Sequence, residues 1–148
     1  MAATAWAFYI DAKRNMGIGT FNLSNGGIKL ALFGSATTGD AGTETLSLKS
    51  QLSAEVTGGN YSAGGKSLSA ITWSTTDTSI YKFDSTAWII TASGSSITSI
   101  KYAVLYQSTS AGGGPLLCFS QLSTTQISIT TGNTLTITPA AGGIFTLS

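Results

Sequence analysis

The sequence predicts an all-β protein: one antiparallel β-sandwich of jelly-roll or Ig-like plan, with at most one or two short helices in its N-terminal half. Three observations carry this expectation. Apolar residues recur in strand-length runs, many of them alternating with Ser or Thr. Turn residues return roughly every 8–12 positions, the spacing of sandwich and barrel strands. Ser and Thr together make up 44 of the 148 residues, and Thr, like Ile, is β-branched and favours a pleated, half-buried surface. At this length one domain, residues 1–148, is the natural unit, and such a domain buries roughly 70% of its unfolded surface.

The chain opens on an apolar head, with Trp6, Phe8 and Tyr9 on an Ala-rich lead. Residues 1–10 read equally as a first core strand or as an N-terminal arm that packs on a partner. Asp11 to Met16 reads as one short helix, with Asp11 suited to an N-cap and Gly17 to the position after the C-cap. Phe21 and Leu23 then alternate with polar residues, Asn25-Gly26 is a strong hairpin-turn pair, and Ile28, Leu30 and Leu32 follow at strand spacing.

Residues 34–45 are small, polar and loop-like. Leu46 to Val56 has mixed spacing, compatible with a short helix, an irregular piece or a strand. A Gly-rich turn at 58–65 leads into Ser67 to Trp73, read as a strand. Ile80 to Phe83 and Trp88 to Ile90 are strands around a turn at Asp84. The clearest strand runs from Ile97 or Ser99 to Tyr106; its near-continuous apolarity over 102–106 predicts burial on both faces. After Gly112 to Pro115, short strands are expected at 116–119, Ile127/Ile129, Leu135/Ile137 and Ile144/Leu147.

Composition excludes several functions. Only 9% of residues are charged and the net charge is +1, against roughly 25% charged in a typical domain. Seven cations spread along the chain make no footprint for nucleic acid. The absence of His removes the commonest general base and metal ligand. With one Cys, no zinc site of a usual ligand set can be assembled, and Cys118 has no intrachain disulfide partner. No apolar run reaches the length of a membrane helix. The N-terminus lacks a basic lead, so the expectation is synthesis in a cytoplasm and no secretory exit.

The chemical candidates are few. Gly59 to Ser67 approaches a phosphate loop, but Asn60 stands where the first Gly belongs, and a strand is expected where a helix should follow. Asp40 with Glu44, and Asp77 with Asp84, could pair for acid–base work or calcium, although turn capping is the commoner use of such residues. Cys118 sits in an apolar stretch and has no His to activate it. Asn22 and Asn60 head glycosylation-type triplets that arise by chance in a Ser-rich chain. No catalytic residue, metal or cofactor is expected.

Low charge has a second meaning. Near-zero net charge protects poorly against association. After Lys101 the remaining 47 residues carry no charged side chain, although exposed strand edges are normally guarded by Lys. Such a surface is expected to be covered by other protein.

Several pieces, taken in order, resemble a family of small tailed-bacteriophage virion proteins. They are Tyr9, Ala12 and Lys13; Gly19 and Leu23; Lys29-Leu-Ala-Leu32; Glu55-Val-Thr-Gly58; Asn60-Tyr-Ser-Ala-Gly-Gly65; Leu68; Trp88; Tyr102-Ala-Val-Leu-Tyr106; Pro115-Leu116; the stretch from Ile127 to Ile137; and Gly143-Ile-Phe-Thr-Leu147. The resemblance spans nearly the whole chain. It departs in the middle region, where relatives carry acidic residues and this chain has Ser and Thr, and at Lys101, which stands near a family Arg. It implies a non-enzymatic virion component, similar to capsid decoration (cement) proteins that sit on the head lattice, often as trimers. The implied partners are the major capsid protein or other virion proteins and further copies of the chain, with no nucleic acid and no membrane. Trp6, Phe8 and Tyr9 are the expected partner contact. A tail or baseplate component, or a carbohydrate-binding adhesion module using Trp88, is the alternative.

Overall fold

The computed structural model describes residues 5–24, 26–109 and 113–148. Its elements, in chain order, are β1 (Ala7–Phe8), α1 (Ile10–Gly17), β2 (Ile28–Phe33), β3 (Lys66–Ser67), β4 (Thr72–Asp77), β5 (Ile80–Asp84) and β6 (Trp88–Thr91). They continue with β7 (Ile97–Ile100), β8 (Tyr102–Gln107), β9 (Leu116–Gln121), β10 (Ile127–Ile129), β11 (Thr134–Ile137) and β12 (Phe145–Leu147). A single 3-10 turn lies at Lys49–Gln51. All pairings are antiparallel, and the all-β, sandwich-like class read from the sequence is the class observed.

The central sheet has the order β1-β9-β8-β2-β3. Its register aligns Leu30, Leu105, Cys118 and Phe8 in one cross-strand row, and Ala31, Val104, Phe119 and Ala7 in the next. Successive residues of a strand point to opposite faces, so these rows define two faces. Both are covered. That explains why Tyr102 to Tyr106 is apolar without alternation, and each of those five residues is buried.

The first face meets the rest of one long antiparallel pair. Residues 80–107 run against 116–147 in four sections: β8 with β9, β7 with β10, β6 with β11, and β5 with β12. Short irregular corners separate the sections. Backbone bonds clip them, from Leu122 N–H to Lys101 O, Gly132 N–H to Ala92 O, and Ile144 N–H to Phe83 O. Eight strands nested as pairs are the wrapped plan of a jelly roll. Here the β8–β9 section joins the central sheet, and the outer sections fold back over it. Trp88 and Ile137 come to lie across Leu30 and Leu105, with a gap of only about 10 Å³ between them. Phe8 meets Phe145 edge-on at 4.7 Å.

The second face is covered by a loop rather than by strands. Tyr9 and Tyr102 flank Phe119 there, at 5.1 and 6.3 Å between ring centroids. The 34–65 segment lies over them. It is held by the Tyr9 hydroxyl donating to Ala41 O (2.7 Å) and the Tyr106 hydroxyl donating to Gly64 O (2.7 Å).

Some local expectations are corrected. Asp11 is not the N-cap of α1; Tyr9 is, without a side-chain bond, and Asp11 lies in the first turn, where the helix dipole favours an anion. The residue after the C-cap is Gly19, not Gly17. Gly19 has φ +74°, and the bonds Gly19 N–H to Met16 O and Thr20 N–H to Asn15 O complete a Schellman ending. Phe21 to Leu23 forms no strand, because no neighbouring strand is there to pair with it; Asn25 of the expected turn lies outside the described residues, as does Gly112. The strand expected over 67–73 is broken at Ala70, whose φ is +49°. The long strand ending at Tyr106 is split into β7 and β8 next to Ser99, at φ +64°.

Candidate functional site

The aromatic head is settled by its pairing. Ala7 and Phe8 form the edge strand of the central sheet against Phe119 and Cys118, so over residues 7–9 the head is a core strand and not an arm. Tyr9 is fully buried, and burial above all pushes its hydroxyl well above the ordinary tyrosine range. Tyr9 is therefore withdrawn as a partner contact. Trp6 and Phe8 are half-buried and pack on the core. Residues 1–4 lie outside the described residues.

The Gly-rich turn is a structural joint. Gly64 N–H donates to Glu55 Oε1 (2.6 Å), Gly65 N–H to Ser62 O, and Gly59 N–H to Ser95 Oγ. Its amides are thus directed at the protein's own acceptors, and the turn leads into β3, as the sequence indicated. Gly65 has φ +64°, and a Cβ there would run into the Leu30 carbonyl. Close approach of two backbones accounts for this glycine.

Glu55, the first residue of the Glu55-Val-Thr-Gly58 piece but given no structural role by the sequence, anchors that joint. Its Oε2 takes a 2.6 Å ion pair from Lys49 Nζ, and its Oε1 also accepts from the Tyr61 hydroxyl at 3.3 Å. The Tyr61 hydroxyl in turn accepts Leu32 N–H (2.8 Å), which satisfies the β2 edge where β3 ends. Lys49, Glu55, Tyr61 and Gly64 lie in one irregular stretch with no regular spacing, and Leu32 of β2 joins them from outside it.

The carboxylate pairs do not form. Asp77 and Asp84 sit at opposite ends of the β4–β5 hairpin, and Asp84 is bonded to Lys82 at 3.1 Å. Asp40 caps its own loop, accepting Ala36 N–H and Gly42 N–H at 2.9 Å each. Burial alone would raise its carboxyl. Those two N–H groups, the Tyr102 hydroxyl and the charge of Lys101 outweigh it and hold the group below its ordinary 3.8. A lowered folded value means stabilisation that is complete above about pH 5 and is lost as pH falls through 3.8 and below. The melting temperature of Asp40→Asn is expected to fall less steeply on acidification than that of the parent. Parallel curves would show that Asp40 is not the linked group.

Cys118 is fully buried, and burial raises its thiol well above the ordinary value; it is an inert core residue. Trp88 is 5% exposed and packs between the layers. A carbohydrate platform at Trp88 is therefore ruled out by burial. Trp73 and Tyr81 are partly exposed and stacked on each other at 5.7 Å.

What remains on the surface is the outer face of the wrapped pair. β6, β7, β10 and β11 contain no charged residue. Trp88 and Ile90 turn inward, leaving Ile89 half-exposed at 51%. It stands opposite Thr136, next to the Thr91–Thr134 pair whose hydroxyls bond at 2.8 Å. Lys66 reaches the rim of this face, its Nζ donating to Ile89 O at 3.4 Å. A shallow groove of about 290 Å³ follows the bend between β10 and β11, bounded by Ser128, Thr130, Asn133 and Thr134. The face offers hydroxyls, short apolar side chains and free strand edges.

In comparisons with known proteins, the chain matches no family model, no curated protein and no solved structure.

Proposed function

We propose that the chain is a non-enzymatic virion structural protein, a decoration protein that binds the major capsid lattice of a phage head and stabilises it, assembling with further copies of itself. The observation that carries the reading is the uncharged outer face of β6, β7, β10 and β11. Natural sheets guard exposed edges with Lys, Pro or bulges. A face whose strands carry no charge, with Ile89 exposed on it and Lys66 at its rim, is suited to being covered. The motif order shared with small phage virion proteins, from Tyr9 to Leu147, supplies the kind of cover. A shell stabilised this way draws on many copies of a modest interface, so avidity replaces single-site affinity.

The test places charges on that face. Ile89→Lys with Thr134→Lys leaves the inward residues untouched, so the melting temperature is expected to stay close to the parent's. Binding to heads assembled from the major capsid protein of the same genome is expected to be lost. Cryo-EM of the parent complex is expected to show density on the head lattice. Density on the tail would replace the decoration reading with a tail or baseplate role. Unchanged head binding by the charged variant would remove this face from the interface. Glycan binding lost on Tyr81→Ala, with no binding to particles, would favour an adhesion module.

A further inference from the structure

One part of the interlayer space is not filled by the described residues. Phe83 and Phe145, on the inner face of the β4–β5–β12 sheet, are buried, whereas Trp73, Tyr81 and Leu147 on the same face are not. The sheet overhangs the core at that end. Facing the overhang are Met16 of α1 and Phe21 and Leu23 beyond it, and the two walls enclose an open groove of about 770 Å³. A Cβ added at Gly17 or Gly19, on the same wall, would meet nothing. The volume is that of a small-molecule site, apolar with a few polar groups.

The electrostatics of the groove are one-sided. Lys13 is its only charged side chain. Lys13 makes no ion pair among the described residues, and its Nζ stands 5.9 Å from the centroid of the Phe8 ring. No carboxylate side chain lines the walls. An occupant that complements this arrangement has an apolar body and one anionic end.

We propose that the groove binds a free amphipathic organic carboxylate, its alkyl or aryl body between Phe21, Leu23, Trp73 and Leu147, and its carboxylate on the Lys13 ammonium. Membership of a virion is not needed for this site. It stands or falls separately from the head-binding face, which lies on other strands.

The probes are octanoate, decanoate and uncharged decanol, titrated into the full chain by calorimetry and by tryptophan emission. Saturable binding at one site per chain is expected, with decanoate about 15-fold tighter than octanoate, because each buried CH₂ contributes ~0.8 kcal/mol, or about fourfold. Lys13→Glu is expected to weaken decanoate by about fivefold or more, the scale of an exposed ion pair and its reversal, and to leave decanol unchanged. Trp73→Phe is expected to abolish the emission change while the heat of binding persists. Equal affinity for decanoate and decanol, indifference to Lys13→Glu, or unsaturable binding would each overturn the proposal. So would a concentration-dependent dimer that excludes decanoate, which would assign the groove to a second copy.

Discussion

Trp88→Ala is expected to cost about 3–5 kcal/mol of folding stability, the range for truncating a large buried aromatic. The side chain lies between the two layers, across Leu30 and Leu105, and the neighbouring space is already nearly full. The site cannot collapse onto the lost volume without moving a whole section of the wrapped pair. Trp88→Phe separates packing from polarity. The indole N–H of Trp88 is buried and has no hydrogen-bond partner among the described residues, so replacing the ring by Phe loses no bond and removes an unmatched donor, itself worth about 1–3 kcal/mol. The Phe variant is expected to stay within about 1.5 kcal/mol of the parent, as shape-related apolar exchanges do. Urea unfolding of the three proteins measures this. Equal losses for Ala and Phe would mean that the indole N–H has a role that its surroundings do not explain.

The second large effect lies on the other face. Glu55→Ala is expected to destabilise by about 3 kcal/mol or more, because it strands Lys49 with its charge largely out of water and frees the Gly64 N–H and Tyr61 hydroxyl. Both partners of the pair are sheltered, with side-chain exposures of 15% and 14%. Replacing both, as Lys49→Met with Glu55→Met, is expected to cost less than Glu55→Ala alone, since no uncompensated charge remains. Full additivity in a double-mutant cycle would show that the two groups do not interact, contrary to their 2.6 Å contact. Hydrogen exchange is expected to show the 58–65 turn loosening first in the single variant.

The strands were legible where a strand carries its own signature. Ile28 to Phe33, Tyr102 to Tyr106 and Leu116 to Phe119 are apolar on both sides because both faces of their sheet are covered. Trp88 to Ile90 is also a continuous apolar run, although in the structure Trp88 and Ile90 turn inward and Ile89 outward. The pairing was less legible. The sequence shows strands separated by turns, but not that four consecutive pairs nest around one hairpin, since register shifts within β7–β10 and β8–β9 interrupt the match. The aromatic head could be read two ways because its partner, β9, lies about a hundred residues on, and only the register against Phe119 and Cys118 decides it. Phe21 to Leu23 has strand alternation without a strand, which shows how far local pattern can mislead when no neighbour supplies hydrogen bonds. The absence of charge after Lys101 was plain in the sequence. Which face it leaves exposed was not, because that depends on which way Ile89 turns. The Lys13 groove was invisible for the same reason, because its walls meet only in three dimensions; Glu55 stood in a recognisable motif, but its bonds to Lys49, Tyr61 and Gly64 did not show in it.

The nested pairing also sets an order of assembly during synthesis. β8 and β9 can pair across a short loop as soon as both have left the ribosome, and each later section can zip onto the one before. β1 and β2 were made much earlier and have to wait. β1 pairs with β9, and β2 pairs with β8 along its length and with β3 only at Lys29 and Leu30, so β1 and most of β2 remain without a strand partner until most of the chain exists. Non-local strand pairing of this kind is slow and leaves aggregation-prone edges open meanwhile. β2, which ends up almost wholly enclosed in the finished protein, is thus among the strands that wait longest while it is being made.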